Sequence, residues 1–382
     1  MNSIAWLKKL VSFDTTSRNS NLALIDVIRQ WFADHKINST LTYDESHQKA
    51  NLFATLAGQN NNTDDGLILS GHTDVVPVDG QEWHSDPFTL IQIENRLYGR
   101  GTCDMKGFIA VILALLPELI KIKRQKPLHF AFSFDEEIGC NGAPLLIENM
   151  RQQRIKPSAC IIGEPSNMLP IVAHKGINGW QCHVHGNAAH SSLVLSGCNA
   201  IEYAAEFIHW VRTLANTIRQ EGPHDKFYDV PFSSLSTNTI VGGNAINTIP
   251  NLCEFLLELR NLPTVDPQQI IAKIKNFAQQ NLLPRMQNEF VNAAIEINSV
   301  FSVPSFEASE QAAITQLVRK LTRETETHKV AYATEAGLFQ QAGIPTIVCG
   351  PGSIEQAHRA NEFVTIEQLH KCEEFILALV KS

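Results

Sequence analysis

The sequence has no cluster of basic residues of the kind that tracks a phosphate backbone. Its 31 Lys and Arg stand against 39 Asp and Glu, for a net charge of −8. That balance argues against a nucleic-acid partner. It also has no run apolar enough to span a bilayer. The best stretch, FIAVILALLPELI (108–120), is short and is broken by Pro117 and Glu118. The first twenty residues lack the layout of a signal peptide. They read instead as an amphipathic helix with Ile4, Leu7 and Val11 on one face, so the expectation is a cytosolic protein with no membrane association. The eight cysteines are scattered with no CxxC pair, which points to reduced thiols rather than disulfides or a cysteine zinc site. Neither GxGxxG nor GxxxxGK[ST] occurs, which removes the common nucleotide-binding readings. No GxSxG is present to suggest a serine nucleophile. Apart from the polar loop GQNNNTDDG there is no low-complexity segment, and no internal repeat.

What is present is enough apolar sequence, 44% of 382 residues, for two domains or one elaborated one. Residues 51–56, 67–71, 128–134 and 159–163 read as buried strands. The segments MKGFIAVILALLPELIKI and APLLIENMRQQ between them read as helices. This is an α/β layout, a mixed sheet covered by helices, in which ligands sit outside the C-terminal ends of strands. From about residue 175 the style changes. Alternating strands at 177–186, 235–243 and 252–260 surround a long helix (199–220) and precede another near 266–280. The expected organisation is a catalytic domain over 1–174 and 290–382, interrupted by an inserted α+β sandwich over 175–289.

The segment FSFDEE raises a physical problem. An apolar strand ends in three acids, and Glu136 and Glu137 would repel one another unless a cation sat nearby. A solvated acidic turn is the plain alternative. The same pattern recurs, however: apolar strand, glycine, then a ligand-type residue. LILSGHTDVVP supplies His72 and Asp74, YGRGTCDMKG supplies Asp104, CIIGEPS supplies Glu164, and GPGSIEQAHRANEF supplies His358. Each alone has a structural reading; His72 could be a core histidine and Asp104 a helix N-cap. Together, mixed His, Asp and Glu ligands suit zinc or a similar divalent ion.

In their order, SGHTDVVP, GRGTCDMKG, FDEEIG, GEPS and the late GPGSIEQAH resemble the dimetal aminoacylase/deacetylase/carboxypeptidase family, over nearly the whole chain. The resemblance implies an α/β metallopeptidase domain with an inserted dimerisation or lid domain, and hydrolysis of the amide of a small N-acyl amino acid. It implies two divalent ions per subunit, zinc first and cobalt as the alternative. His72 and Glu164 would hold one ion, Glu137 and His358 the other, and Asp104, followed by a cis peptide, would bridge them. Glu136 would be the general base, and Asp74 would hydrogen-bond the free nitrogen of His72. His190, in GNAAHSS, would reach the active site of the partner in a homodimer. Asn247 and Arg260 would hold the substrate carboxylate. Glu335, in TEAGLF, either pairs with a side-chain ammonium of the substrate or serves as an acid at a helix N-terminus. Cys103 and Cys140 depart from the family pattern and are read as small buried residues beside the site. The rival readings are a deacylase, desuccinylase or dipeptidase for another substrate, and a metal-free binding protein on the same fold.

Overall fold

The structure, a computed structural model, describes residues 1–382. The chain divides into two units. The first comprises Met1–Val172, Glu307–His328 and Thr334–Ser382, and the second Ala173–Phe306 with Lys329–Ala333.

The first unit is built on a mixed sheet. Six of its strands lie in the order Ser39–Tyr43, Ala50–Leu56, Leu128–Ser133, Leu67–His72, Ala159–Pro165 and Thr346–Gly350. The last four run parallel to their neighbours, and the first two are antiparallel. Leu128–Ser133 and Ala159–Pro165 are buried at every position, as expected of strands covered on both faces. In the parallel register His72 pairs with Ser133, and Ser70 pairs with Ile162. The C-terminal ends of these strands therefore come out together, each followed by one of the ligand-type residues.

The Lys106–Leu119 helix continues through Pro117, within the stretch MKGFIAVILALLPELIKI that reads as a helix. Proline has no N–H to give to the carbonyl of Leu113 four residues earlier. The indole Nε1–H of Trp31 donates to that carbonyl instead, at 3.0 Å. The helix packs close to the sheet: a Cβ on Gly163 would fall 2.1 Å from the Phe108 ring. That close approach brings the start of the helix, just after Asp104, to the strand carrying Glu164. In the N-terminal helix, Ser3–Val11, the buried apolar face is Trp6, Leu7, Leu10 and Val11, with Ile4 only half-buried.

The second unit is a four-stranded antiparallel sheet in the order Ser234–Gly242, Leu252–Asn261, Gly176–His185, Ala294–Val303. Leu252–Asn261 alternates as a one-sided strand must: Cys253, Phe255, Leu257 and Leu259 are buried between half-exposed neighbours. They face the Ala200–Glu221 helix, where Phe207 meets Phe255 edge to face at 5.4 Å. Asn199 caps that helix, its side chain accepting from the amides of Ile201 and Glu202.

The unit does not end at residue 289. The Ala294–Val303 strand pairs along its length with Gly176–His185, and this holds residues 290–306 in the second unit. It is an edge strand whose apolar residues Ile295 and Ile297 are only partly buried against the core, with no fully buried position before Val303. Residues 329–333 also belong there, following into it from the short strand His328–Val330. No helix is long and apolar enough to cross a membrane.

Candidate active site

Six of the singled-out residues converge at the strand ends of the first unit. His72 closes the Leu67–His72 strand, Glu164 lies near the end of Ala159–Pro165, and Glu136 and Glu137 follow Leu128–Ser133. Asp104 comes from the turn before the Lys106–Leu119 helix, and His358 from the loop after Thr346–Gly350.

The Asp104 carboxylate is the pivot. One oxygen lies 2.9 Å from His72 Nε2 and the other 3.3 Å from His358 Nε2. His72 Nε2 is 3.6 Å from Glu164, and His358 Nε2 is 2.9 Å from Glu137. His72, Asp104 and Glu137 offer ligand atoms within 4.8 Å of one another, as do His72, Glu136 and Glu164. Glu137 Oε1 is buried with no hydrogen-bond partner. An orphaned carboxylate oxygen amid imidazoles and carboxylates is what a divalent cation would satisfy, and the donor set suits zinc or a related ion. The peptide after Asp104 is cis.

Cys103 and Cys140 are buried and outside both ligand groups. Cys103 Sγ donates to the Ser353 carbonyl and Cys140 Sγ lies 3.6 Å from Glu136. Burial pushes both thiols well above their ordinary range. No disulfide links any of the eight cysteines.

Asp74 is placed differently from the expectation. His72 Nδ1 meets the backbone carbonyl of Asp74 at 2.9 Å, and the carboxylate lies further off at 3.6 Å. That carboxylate accepts from the amides of Glu136 (3.1 Å) and Glu137 (3.3 Å) and from the Ser17 hydroxyl (2.7 Å). It thus fixes the backbone of both glutamates, a task invisible in a sequence motif. Ser17 was missed, as was Lys49, whose ammonium binds Asp135 at 2.7 Å and so takes the third acid of the DEE turn out of the cluster.

The metal-free cluster holds protons. Burial alone would lower His72, but Glu164, Asp104 and Asp74 outweigh it and carry the imidazole well above its ordinary value. Contacts with Asp104 and Glu137 raise His358 to about 11. Burial, reinforced by Asp104, lifts Glu137 to about 7 and Glu164 well above the usual carboxylate range. Burial likewise raises Glu136, against His72 and with Glu137 and Asp104 adding to it. Asp104 goes the other way: despite burial, hydrogen bonds from His358 and His72 hold it low.

These observations meet in the comparisons. The model of peptidase family M20/M25/M40 matches residues 68–382. The chain belongs to that family. An acetylornithine deacetylase from Pasteurella multocida (strain Pm70) is 33% identical over 371 residues, 97% of this chain and 93% of that protein. The fold resembles aminopeptidase PepT from Bacillus cereus, with a TM-score of 0.74 at 19% identity, covering 100% of this chain and 97% of that one. It also resembles Bacillus subtilis YxeP, described as a dinuclear metal-binding M20 peptidase, with a TM-score of 0.70 at 15% identity over 99% and 96% of the two chains.

This M20 chain is a metal-dependent hydrolase. Ligands must be deprotonated to bind, so ion uptake displaces the protons that burial retains on the carboxyls and that neighbouring carboxylates retain on the imidazoles. Zinc titrated into the metal-free protein at pH 7 should therefore release protons, and binding should weaken from pH 8 to pH 6. Calorimetry in two buffers of different ionisation enthalpy measures this; equal heats in both would contradict it.

The remaining candidates of this M20 chain are not members of the two ligand groups. His190 is exposed on a two-stranded ladder, paired with Thr248, and the Ser191 amide donates to the Asn247 carbonyl at 2.9 Å. His190 Nδ1 accepts from the Ser192 amide at 3.2 Å, which leaves Nε2 as the N–H. Arg260 is not free: its Nε donates to Glu258 at 2.8 Å and its Nη1 to the Ala331 carbonyl at 3.4 Å. All three belong to the second unit. Glu335 is in the first unit, at the start of the Ala336–Gln341 helix, but it makes no side-chain cap. It is 1% exposed with Oε1 unpartnered, and burial lifts it to about 7 against a lowering contribution from the Ser133 hydroxyl.

Proposed function

We propose that the chain hydrolyses N2-acetyl-L-ornithine to ornithine and acetate, a step of arginine biosynthesis carried out in the cytosol. The observation that carries the chemistry is the Asp104 carboxylate turned with one oxygen to His72 and the other to His358. The relative's match along nearly both chains supports the substrate. His72, Glu164 and Asp104 would hold one ion, and Asp104, Glu137 and His358 the other, with zinc the first choice and cobalt the alternative. Divalent ions held there would supply Lewis acidity and a water acidic enough to ionise near neutral pH.

Glu136 then takes the water's proton and returns it to the departing amine. Asp74 keeps Glu136 and Glu137 in place through their amides. His190, contributed by the partner in a homodimer, donates Nε2–H to the tetrahedral oxyanion. Arg260 and Asn247 bind the substrate carboxylate, for which Arg260 must give up Glu258. The test is hydrolysis of acetylornithine beside acetylmethionine, acetylglutamate and succinyl-diaminopimelate. Equal or better turnover of any of the other three would overturn the substrate.

Glu335 is proposed as the partner of the side-chain ammonium, supported by its orphaned oxygen. At 1% exposure it can be reached only when the site opens. Glu335→Gln should lower kcat/KM on acetylornithine by ~10-fold, the worth of a charge-assisted contact, and leave acetylnorvaline little changed. Equal loss on both substrates would make Glu335 a support beneath the cluster.

A further inference from the structure

Glu362 lies outside both ligand groups, yet it ties together the loops that carry Asp104 and His358. Its side chain is fully buried. Oε1 accepts from the amides of Cys103 (2.8 Å) and Asp104 (3.1 Å). Oε2 accepts from the amide of Gly101 (2.9 Å) and from Arg100 Nη1 (2.8 Å). Four donors thus occupy the carboxylate, and the Glu362 carbonyl takes a fifth from the amide of Gly99 at 3.0 Å. The side chain holds the turn by the backbone amides of Gly101, Cys103 and Asp104, and the Glu362 carbonyl holds its start at Gly99.

Arg100, equally buried, continues the chain of bonds. Its Nη1 also donates to the Arg359 carbonyl at 3.3 Å, and its Nη2 donates to Gln81 Oε1 at 2.6 Å. Gln81 in turn donates to the His358 carbonyl at 2.9 Å. A continuous path therefore runs from the Asp104 amide through Glu362, Arg100 and Gln81 to the His358 backbone. It joins two residues that the sequence keeps at opposite ends of the chain. Both oxygens of the buried Glu362 carboxylate are matched, two donors to each, and a carboxylate held in that way permits little drift.

We propose that Glu362 is a positioning residue that fixes the spacing of Asp104 and His358, and through it the affinity of the Asp104–Glu137–His358 group for a divalent ion. The proposal rests on the reading of these three as ligands. The His72–Asp104–Glu164 group shares Asp104 but has its other members on sheet strands, so it depends less on the strap. In Glu362→Gln an amide NH2 faces backbone donors, and the turn must shift.

The experiment is zinc titration of the metal-free protein by calorimetry, with the metal-free melting temperature recorded alongside. Wild type should take two ions. Glu362→Gln should take the same two, one of them about tenfold more weakly and the other nearly unchanged, as expected for an outer partner of a metal ligand. Arg100→Lys keeps the charge but loses the fork that reaches Gln81. It should weaken the same ion by a smaller factor, and it answers the question if Glu362→Gln does not fold. A lower melting temperature with both affinities unchanged in the variant that folds would overturn the proposal, because a purely structural brace predicts that result. A wild type that takes no zinc would overturn the ligand reading itself, and the proposal with it.

Discussion

Glu136→Gln should leave the protein with its full complement of metal and almost no turnover. The substitution keeps the shape of the side chain and removes its ability to carry a proton. A lost general base costs ~10²–10⁴ in rate. The measurement has to separate two readings that geometry leaves side by side, because Glu136 offers an oxygen within 4.8 Å of ligand atoms on His72 and Glu164. If Glu136 were a ligand, the variant would lose an ion, and excess zinc would restore activity. If it is the base, metal analysis shows no change and added zinc does nothing. Glu137→Gln should behave in the opposite way, losing part of its metal and recovering partly with excess zinc. Retention of more than about a tenth of the wild-type rate by Glu136→Gln would reject the base assignment, whose loss should cost at least ~10².

Two nearly inactive variants, mixed, should regain activity. If His190 serves the partner's site, a His190→Ala protomer paired with a Glu136→Gln protomer forms one composite site with both groups intact. The other site lacks both. Each parent alone should be down by at least ~10², the loss of an oxyanion donor or of a base. The mixture should approach half of the wild-type rate per composite dimer. The exposed imidazole with Nε2 as its free N–H is the feature that makes His190 a usable donor. Subunit exchange is followed independently, by mass-tagged protomers. Confirmed exchange without recovered activity would confine His190 to its own subunit or remove it from the reaction.

The strand ends were legible because parallel strands write a plain signal: a short apolar run, a glycine, then a polar residue whose side chain has left the sheet. His72 and Glu164 follow from that signal, and register brings them together without further information. Asp104 and His358 were legible only through their motifs, since loops carry no periodicity. The supports were not legible at all. Ser17 and Lys49 act through carboxylates distant in the chain, Arg100 and Glu362 largely through backbone carbonyls and amides, and such bonds leave no mark on residue spacing. Asp74 illustrates the limit: its place beside His72 could be read, but the amides it binds could not. The Ala294–Val303 strand was lost for another reason. Its alternation, Ile295 and Ile297 against Glu296 and Asn298, is short and is interrupted where the ladder bulges between Ser299 and Phe301.

The order of strands has a consequence during synthesis. Ala159–Pro165 is flanked by Leu67–His72 on one side and Thr346–Gly350 on the other. A ribosome delivers the first neighbour early and the second only after the entire second unit has emerged. Until then a strand that is buried at every position in the finished fold keeps one row of amides and carbonyls unpaired, which is an invitation to pairing between nascent chains. Chains that stall within the second unit would expose this edge permanently, and they are the species for which a cell would need chaperone cover.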